Sequence, residues 1–300
     1  MVLKVLKTVL GLVFIVSAIL KIAEMDQFEI YVYSYHFFSL NFSFLVARAT
    51  IIVELVLGIG LVSNRFHKLM WWGSLAMLIG YTLLLIYAQM IGRADSCHCF
   101  GDVLQFNPWQ SIIKNVVLLG LFALIYKVKG KRFRKDWLAL AGTIIVSTVA
   151  VFLVSPPDNF TSAYKPQQNL NAELFDAALQ KPPLDSLHLN EGKKIVCFFS
   201  TACDYCQMSA HKLSLMQQFN GFSQGNICYV FMGSEDGVVR FYDISQSAQY
   251  QSVIFDDVVG LVKITNGVFP VILLLENGEV LHEYEFRSMN EKEIGKFMKE

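Results

Sequence analysis

The chain has 300 residues, of which 54% are hydrophobic and only 17% charged. With a mean hydropathy of +0.44 it is too apolar for an ordinary soluble protein of this length. Its 25 Lys and Arg balance 25 Asp and Glu, and no basic stripe with interleaved aromatics occurs outside the flanks of the apolar runs, which sets aside a nucleic-acid partner. The long uncharged runs fall within 1–155, whereas 156–300 reads as a mixed, charged, soluble module.

Five segments have the roughly 20 apolar residues needed to cross a bilayer: 5–23, 42–63, 69–91, 108–126 and 137–155. The first begins at Lys4 and Lys7 like a signal peptide, but no small-x-small cleavage site follows, so it is read as a retained helix. "YKVKGKRFRKDW" between the fourth and fifth spans is strongly basic, and "NRFHK" between the second and third adds Arg65 and Lys68. The lysine and arginine bias places both loops and the N-terminus in the cytoplasm, so the 92–107 loop and the C-terminal module lie outside. In a bacterium that is the periplasmic side of the inner membrane, where disulfides form and persist.

All six cysteines, at 97, 99, 197, 203, 206 and 228, then belong to the outer loop or the outer module. In "ADSCHCFGD" the pair Cys97 and Cys99 would close a very small disulfide ring, strained and readily reduced. His98 could tune the Cys97 thiolate or face water, and Asp102 caps the next turn.

Within the spans, Glu54 is costly in hydrocarbon. It could take up or pass a proton during quinone reduction, or pair with Arg48 or Lys114 on a neighbouring helix; beside these stands a neutral, hydrogen-bonded carboxylic acid that holds helices together. Trp71 and Trp72 read as interfacial anchors, and Tyr81 and Tyr87 as bundle packing.

Beyond a proline-rich linker at 158–182, hydrophobic patterning gives strand "KKIVCFFS", helix "DYCQMSAHKLSLMQQF", strand "NICYVFMGS", a helix near 235–245 and a short strand at "QSVIFDD". A hairpin turning at Asn277-Gly278 and a terminal helix follow. A Cys-x-x-Cys between strand and helix puts Cys203 at a helix N-terminus, where unpaired amides favour a thiolate, and leaves Cys206 one turn in as the resolving thiol. Zinc would need two further ligands, and no second Cys-x-x-Cys or paired histidines follow. Cys197 and Cys228 lie on apolar strands as core residues, and His211 is a solvated or packing histidine.

This order of elements around "STACDYC" resembles the thioredoxin superfamily over 183–300, and the TlpA-like periplasmic branch in particular. The resemblance implies that Pro270, in "VFP", is a cis-proline facing the redox pair. Two departures stand out. Phe269 is bulkier than the family usually carries, and Cys197 stands where many thioredoxins have a buried acid. The "CHCFGD" element, with "GLVFIVSAILKI" and "IIVELVLGIGLV", resembles the DoxX/MauE group over 1–126. That resemblance implies a four-helix redox-associated membrane domain.

The resulting expectation is a multi-domain chain. An all-α transmembrane four-helix bundle (1–126) is followed by a basic loop and fifth helix (127–157), the linker, and an α/β thioredoxin-like domain (183–300). The expected activity is thiol–disulfide exchange between Cys203/Cys206 and Cys97/Cys99, serving exported client proteins. No covalent cofactor is expected, and a membrane quinone is the most economical terminal acceptor. The alternatives are a periplasmic reductase fed by another membrane protein, or soft-metal handling by Cys97, His98 and Cys99.

Overall fold

The computed structural model describes residues 2–91, 107–128, 136–158, 160 and 169–299. The Cys97/Cys99 pair, His98, Asp102 and most of the basic loop lie outside the described residues. The chain forms two compact units, Met1–Val32 with Phe42–Pro157, and Tyr33–Asn41 with Asp158–Glu300.

The first unit is helical: α1 (Val2–Ala23), most of α2 (Met25–Tyr33), α3 (Leu40–Val62), α4 (His67–Met90), α5 (Pro108–Ile125) and α6 (Asp136–Val154). α1, α3, α4 and α6 are long and apolar enough to span a membrane, and α5 carries a shorter apolar stretch, Trp109–Ile125. Four such helices in one chain make it a multi-pass membrane protein. Leu10 and Phe14 of α1, Leu57 and Leu61 of α3, Trp71 and Leu78 of α4 and Phe122 of α5 pack into one core. α1 and α3 meet backbone to backbone: a Cβ on Gly11 would sit 2.9 Å from the Gly58 carbonyl oxygen, and one on Gly58 2.8 Å from that of Gly11. Such close approach is how small residues let helices associate in lipid, where apolar burial drives nothing. Trp71 corrects an expectation. Its indole N–H donates to the Phe122 carbonyl at 2.7 Å inside the bundle, while Trp72 is 57% exposed.

The second unit contains α7 (Ala172–Ala178), β1 (Lys193–Ser200), α8 (Asp204–Asn220), β2 (Ile227–Met232), α9 (Glu235–Ser245), β3 (Gln251–Ile254), α10 (Val258–Ile264), β4 (Val271–Glu276), β5 (Glu279–Tyr284) and α11 (Glu291–Lys299). The sheet order is β3-β2-β1-β4-β5. β1 runs parallel to β2 and antiparallel to β4, with Val196 opposite both Cys228 and Leu273. A strand walled on both faces needs a continuous apolar run, which is what "IVCFF" supplies. One face packs Val196, Phe198, Cys228 and Val230 against Phe175, Leu184 and Leu261. The other buries Phe199, Tyr229 and Phe231 against Phe241 and Tyr250. Asn277 and Gly278 both have positive φ, as the β4–β5 turn requires. Phe175 and Leu179 place the latter part of the expected linker inside this core.

Candidate redox site

Parallel strands end their C-termini at one edge of a sheet, and functional residues collect there. β1 ends at Ser200, and Cys203 closes the turn with its N–H on the Ser200 carbonyl at 3.1 Å. Cys203 is the N-cap of α8 (φ −98°, ψ 116°), and its sulfur accepts the Cys206 N–H at 3.2 Å. A capping atom receives the orphan amides of the first turn, so the cap of this helix is the Cys203 sulfur itself.

Cys203 is half-buried and Cys206 fully buried, both as free thiols. The hydrogen bond from the Cys206 side chain pulls the Cys203 pKa down from 9.0 to about 7, helped by the amides of Cys206 and Tyr205 and opposed by burial and by Asp204. Burial pushes the Cys206 thiol up, and the Cys203 sulfur beside it pushes the same way. The two thiols thus divide the work: one ionises near neutrality and meets solvent, the other stays protonated behind it.

The Phe269–Pro270 peptide is cis, and the Cys203 thiol points at the Phe269 carbonyl oxygen, 3.9 Å away. Cys203, Cys206 and Pro270 are therefore brought together. Cys197 is fully buried on β1 and adds to the perturbation of Cys206, and Cys228 packs in the core on the opposite sheet face. His211 is a packing residue, with Nδ1 2.8 Å from the Ser245 carbonyl oxygen.

The sequence reading missed a buried ion cluster on the same helix. Lys212 Nζ donates to the Phe286 carbonyl at 2.9 Å, stands 4.7 Å above the Phe286 ring and lies 3.7 Å from Asp158 Oδ2. Arg287 meets the other Asp158 oxygen at 3.3 Å. The Phe286 ring in turn packs on Tyr205, between the two cysteines, at 5.3 Å. The signal was available: Lys212 falls within the buried stripe Cys206, Ser209, Ala210, Leu213 and Met216.

In the membrane unit, Glu54 is buried, with Lys21 as its direct ion partner and Lys114 within electrostatic reach. Lys21 donates to both its oxygens at 2.7 and 2.9 Å, and to Ser17 Oγ at 2.7 Å. Tyr81 Oη adds a bond to Oε1 at 3.0 Å, so Tyr81 contacts a charged group rather than only packing. Arg48 spends five N–H bonds on the Glu29 carboxylate, the Phe44 carbonyl (2.8 Å), the Ser155 carbonyl and hydroxyl (2.8 and 3.3 Å) and the Pro156 carbonyl (2.9 Å). A guanidinium has five donors.

Residues 1–128 match the family described as "Methylamine utilisation protein MauE". Over 318 aligned positions the chain is 24% identical to Protein TlpB of Flavobacterium psychrophilum, covering 88% of this chain and 86% of that protein. Among solved structures it is similar to the thioredoxin domain of a thiol-disulfide oxidoreductase from Bacteroides vulgatus, at 18% identity over 38% of this chain and 84% of that one, with a TM-score of 0.31. It is also similar to a secreted Mycobacterium tuberculosis disulfide oxidoreductase, at 13% identity over 38% and 84%, with a TM-score of 0.30.

Proposed function

We propose that the chain is a membrane-anchored thiol–disulfide oxidoreductase whose nucleophile is Cys203 and whose resolving thiol is Cys206. The observation that carries this reading is the Cys206 N–H on the Cys203 sulfur at the start of α8, beside the Phe269–Pro270 peptide. Acting on a client dithiol, the Cys203–Cys206 disulfide is attacked at Cys203 by a client thiolate, and Cys206 leaves and takes a proton. The second client thiolate then attacks the client sulfur bound to Cys203 and releases it as a thiolate. Two electrons have moved from client to domain, and the client holds the disulfide.

The domain is reoxidised by the Cys97–Cys99 disulfide: Cys203 attacks one of its sulfurs, and Cys206 resolves the mixed disulfide. Both pairs are placed on the periplasmic side of the inner membrane. A lipid-soluble quinone is the acceptor class this economy suggests, but the residues expected to serve it do not fit. Glu54 is enclosed by Lys21 and Tyr81, and the Arg48 donors are engaged by protein groups. The scheme therefore ends at Cys97 and Cys99.

The test is trapping in native membranes. With Cys206→Ser, a mixed disulfide joining Cys203 to Cys97 or Cys99 accumulates during redox cycling and is read by non-reducing peptide mass spectrometry. Its absence overturns the relay. Exchange with a small neutral disulfide tests the oxidoreductase itself, and activity surviving Cys203→Ser would overturn that.

A further inference from the structure

The turn joining α3 to α4 has features the redox reading does not use. It carries Arg65, His67 and Lys68 with no acid, and a second ammonium reaches it where Lys7 Nζ donates to Asn64 Oδ1 at 2.5 Å. α4 starts at this turn with no side-chain cap and no acidic residue in its first turn. Opening from the same turn is a cavity of about 110 Å³ between α3, α4 and α6, with Ser63 and Arg65 at one end and Val56, Ile59, Met70 and Leu140 along its walls. From Ser63 to Val56 the groove follows α3 for seven residues, about 10 Å. It is thus cationic where the helices end and apolar toward their middle.

That polarity is the polarity of a phospholipid monolayer: phosphate at the interface, acyl chain inward. The helices forming the groove are long and apolar enough to stand in a bilayer, so the medium around it is lipid. Basic residues at helix ends attract anionic headgroups, each contributing on the order of 1 kcal/mol near a charged surface; a zwitterionic headgroup brings a cation that the turn would repel. We propose that this groove is a binding site for an anionic phospholipid, its phosphate held at Arg65 and the Lys68 turn and the start of one acyl chain lying along Val56, Ile59 and Leu140.

The test uses the full chain purified in zwitterionic detergent, with dioleoyl phosphatidylglycerol and dioleoyl phosphatidylcholine as probes and native mass spectrometry as readout. The expected result is half-saturation by phosphatidylglycerol at about tenfold lower concentration than phosphatidylcholine. Arg65→Gln should erase most of that preference, Ala139→Trp should lower retention of both lipids by filling the groove, and inorganic phosphate should not displace the glycerol lipid. Equal retention of both lipids by the wild type, or a preference untouched by Arg65→Gln, overturns the proposal. Displacement by inorganic phosphate overturns it too, because the site would then hold an ion without its acyl chain. Because Arg65 is only partly buried, the Gln variant keeps the test decisive should the Trp variant fail to fold.

Discussion

At Cys203 the cap geometry makes a pH prediction whose sign can be worked out. In the unfolded reduced chain a thiol titrates near 9.0, whereas folded Cys203 titrates at about 7. A group with a depressed folded pKa contributes stability that is fully present above its unfolded pKa and lost as pH falls through the folded one. Cys206 works in the opposite sense, because burial holds its proton on; its contribution is present below pH 9.0 and lost above. Reduced protein should therefore gain stability between pH 7 and 9 and lose it beyond, and Cys203→Ser should flatten the rise. Thermal unfolding against pH, reduced wild type beside the variant, checks this; parallel curves would refute the assignment. A second outcome follows at the same residue. Site-resolved alkylation by iodoacetamide should reach half its maximal rate near pH 7 at Cys203, shift to lower pH in Asp204→Asn, which removes an opposing charge, and leave Cys206 unmodified.

At the level of elements, Lys212 shows what α8 contributes beyond its cap. The helix turns a lysine into its buried stripe, and the charge is tolerated because Asp158 and the Phe286 carbonyl receive it. Removing one partner of a buried pair leaves the other uncompensated, at about 3 kcal/mol or more, whereas removing both can be close to neutral. Lys212→Met alone should lower the unfolding temperature of the full chain markedly, and Lys212→Met with Asp158→Asn should recover much of the loss. Additive losses would show that the two side chains are not coupled. The strands, α8, α9, the hairpin and α11 were all legible because their patterns are local: an apolar run, a helical stripe, an Asn-Gly turn. α10 was not, since "VVGLVKI" is seven residues of β-branched and glycine character whose helix is fixed by the Asp257 cap and by burial of Leu261 and Ile264. α2 was missed for a related reason, as "MDQFEIYVY" is rich in residues that favour strands. The placement of Cys203 and Cys206 at the start of α8 could be read from their motif, but the Lys21 partner of Glu54 and the partners of Arg48 could not. Hydropathy reports that a helix spans, whereas which side chains meet depends on helix rotation, which joined Lys21 to Glu54 across 33 residues and Arg48 to the carbonyls at 155 and 156.

At the scale of the whole molecule, the second unit is assembled from two distant stretches of chain, and one of them is Tyr33–Asn41. The Glu291 carboxylate accepts the Tyr33 hydroxyl at 2.9 Å and the Leu40 N–H at 2.8 Å, one oxygen each. Phe219 stacks on His36 at 3.9 Å and meets the edge of Tyr33 at 5.2 Å. Tyr33 and Leu40 are both 0% exposed. These contacts grip the end of α8 that lies about 24 Å along the helix from Cys203, so the strap leaves the Cys203 end of the helix uncovered by it. It follows that residues 158–300 alone form an incomplete domain, with the Phe219 face and the Glu291 carboxylate deprived of their partners. A soluble fragment of that span should melt below the same fragment supplied with a saturating synthetic peptide of residues 33–41, and Glu291→Ala should abolish the rise. Ligand linkage sets the scale: about 2.7 kcal/mol at a hundredfold excess over the peptide's dissociation constant. Exchange between Cys203 and a small disulfide should be unchanged by the peptide, because the strap and Cys203 occupy opposite ends of α8. A fragment whose melting temperature ignores the peptide would mean that the 33–41 segment rests on the domain without stabilising it.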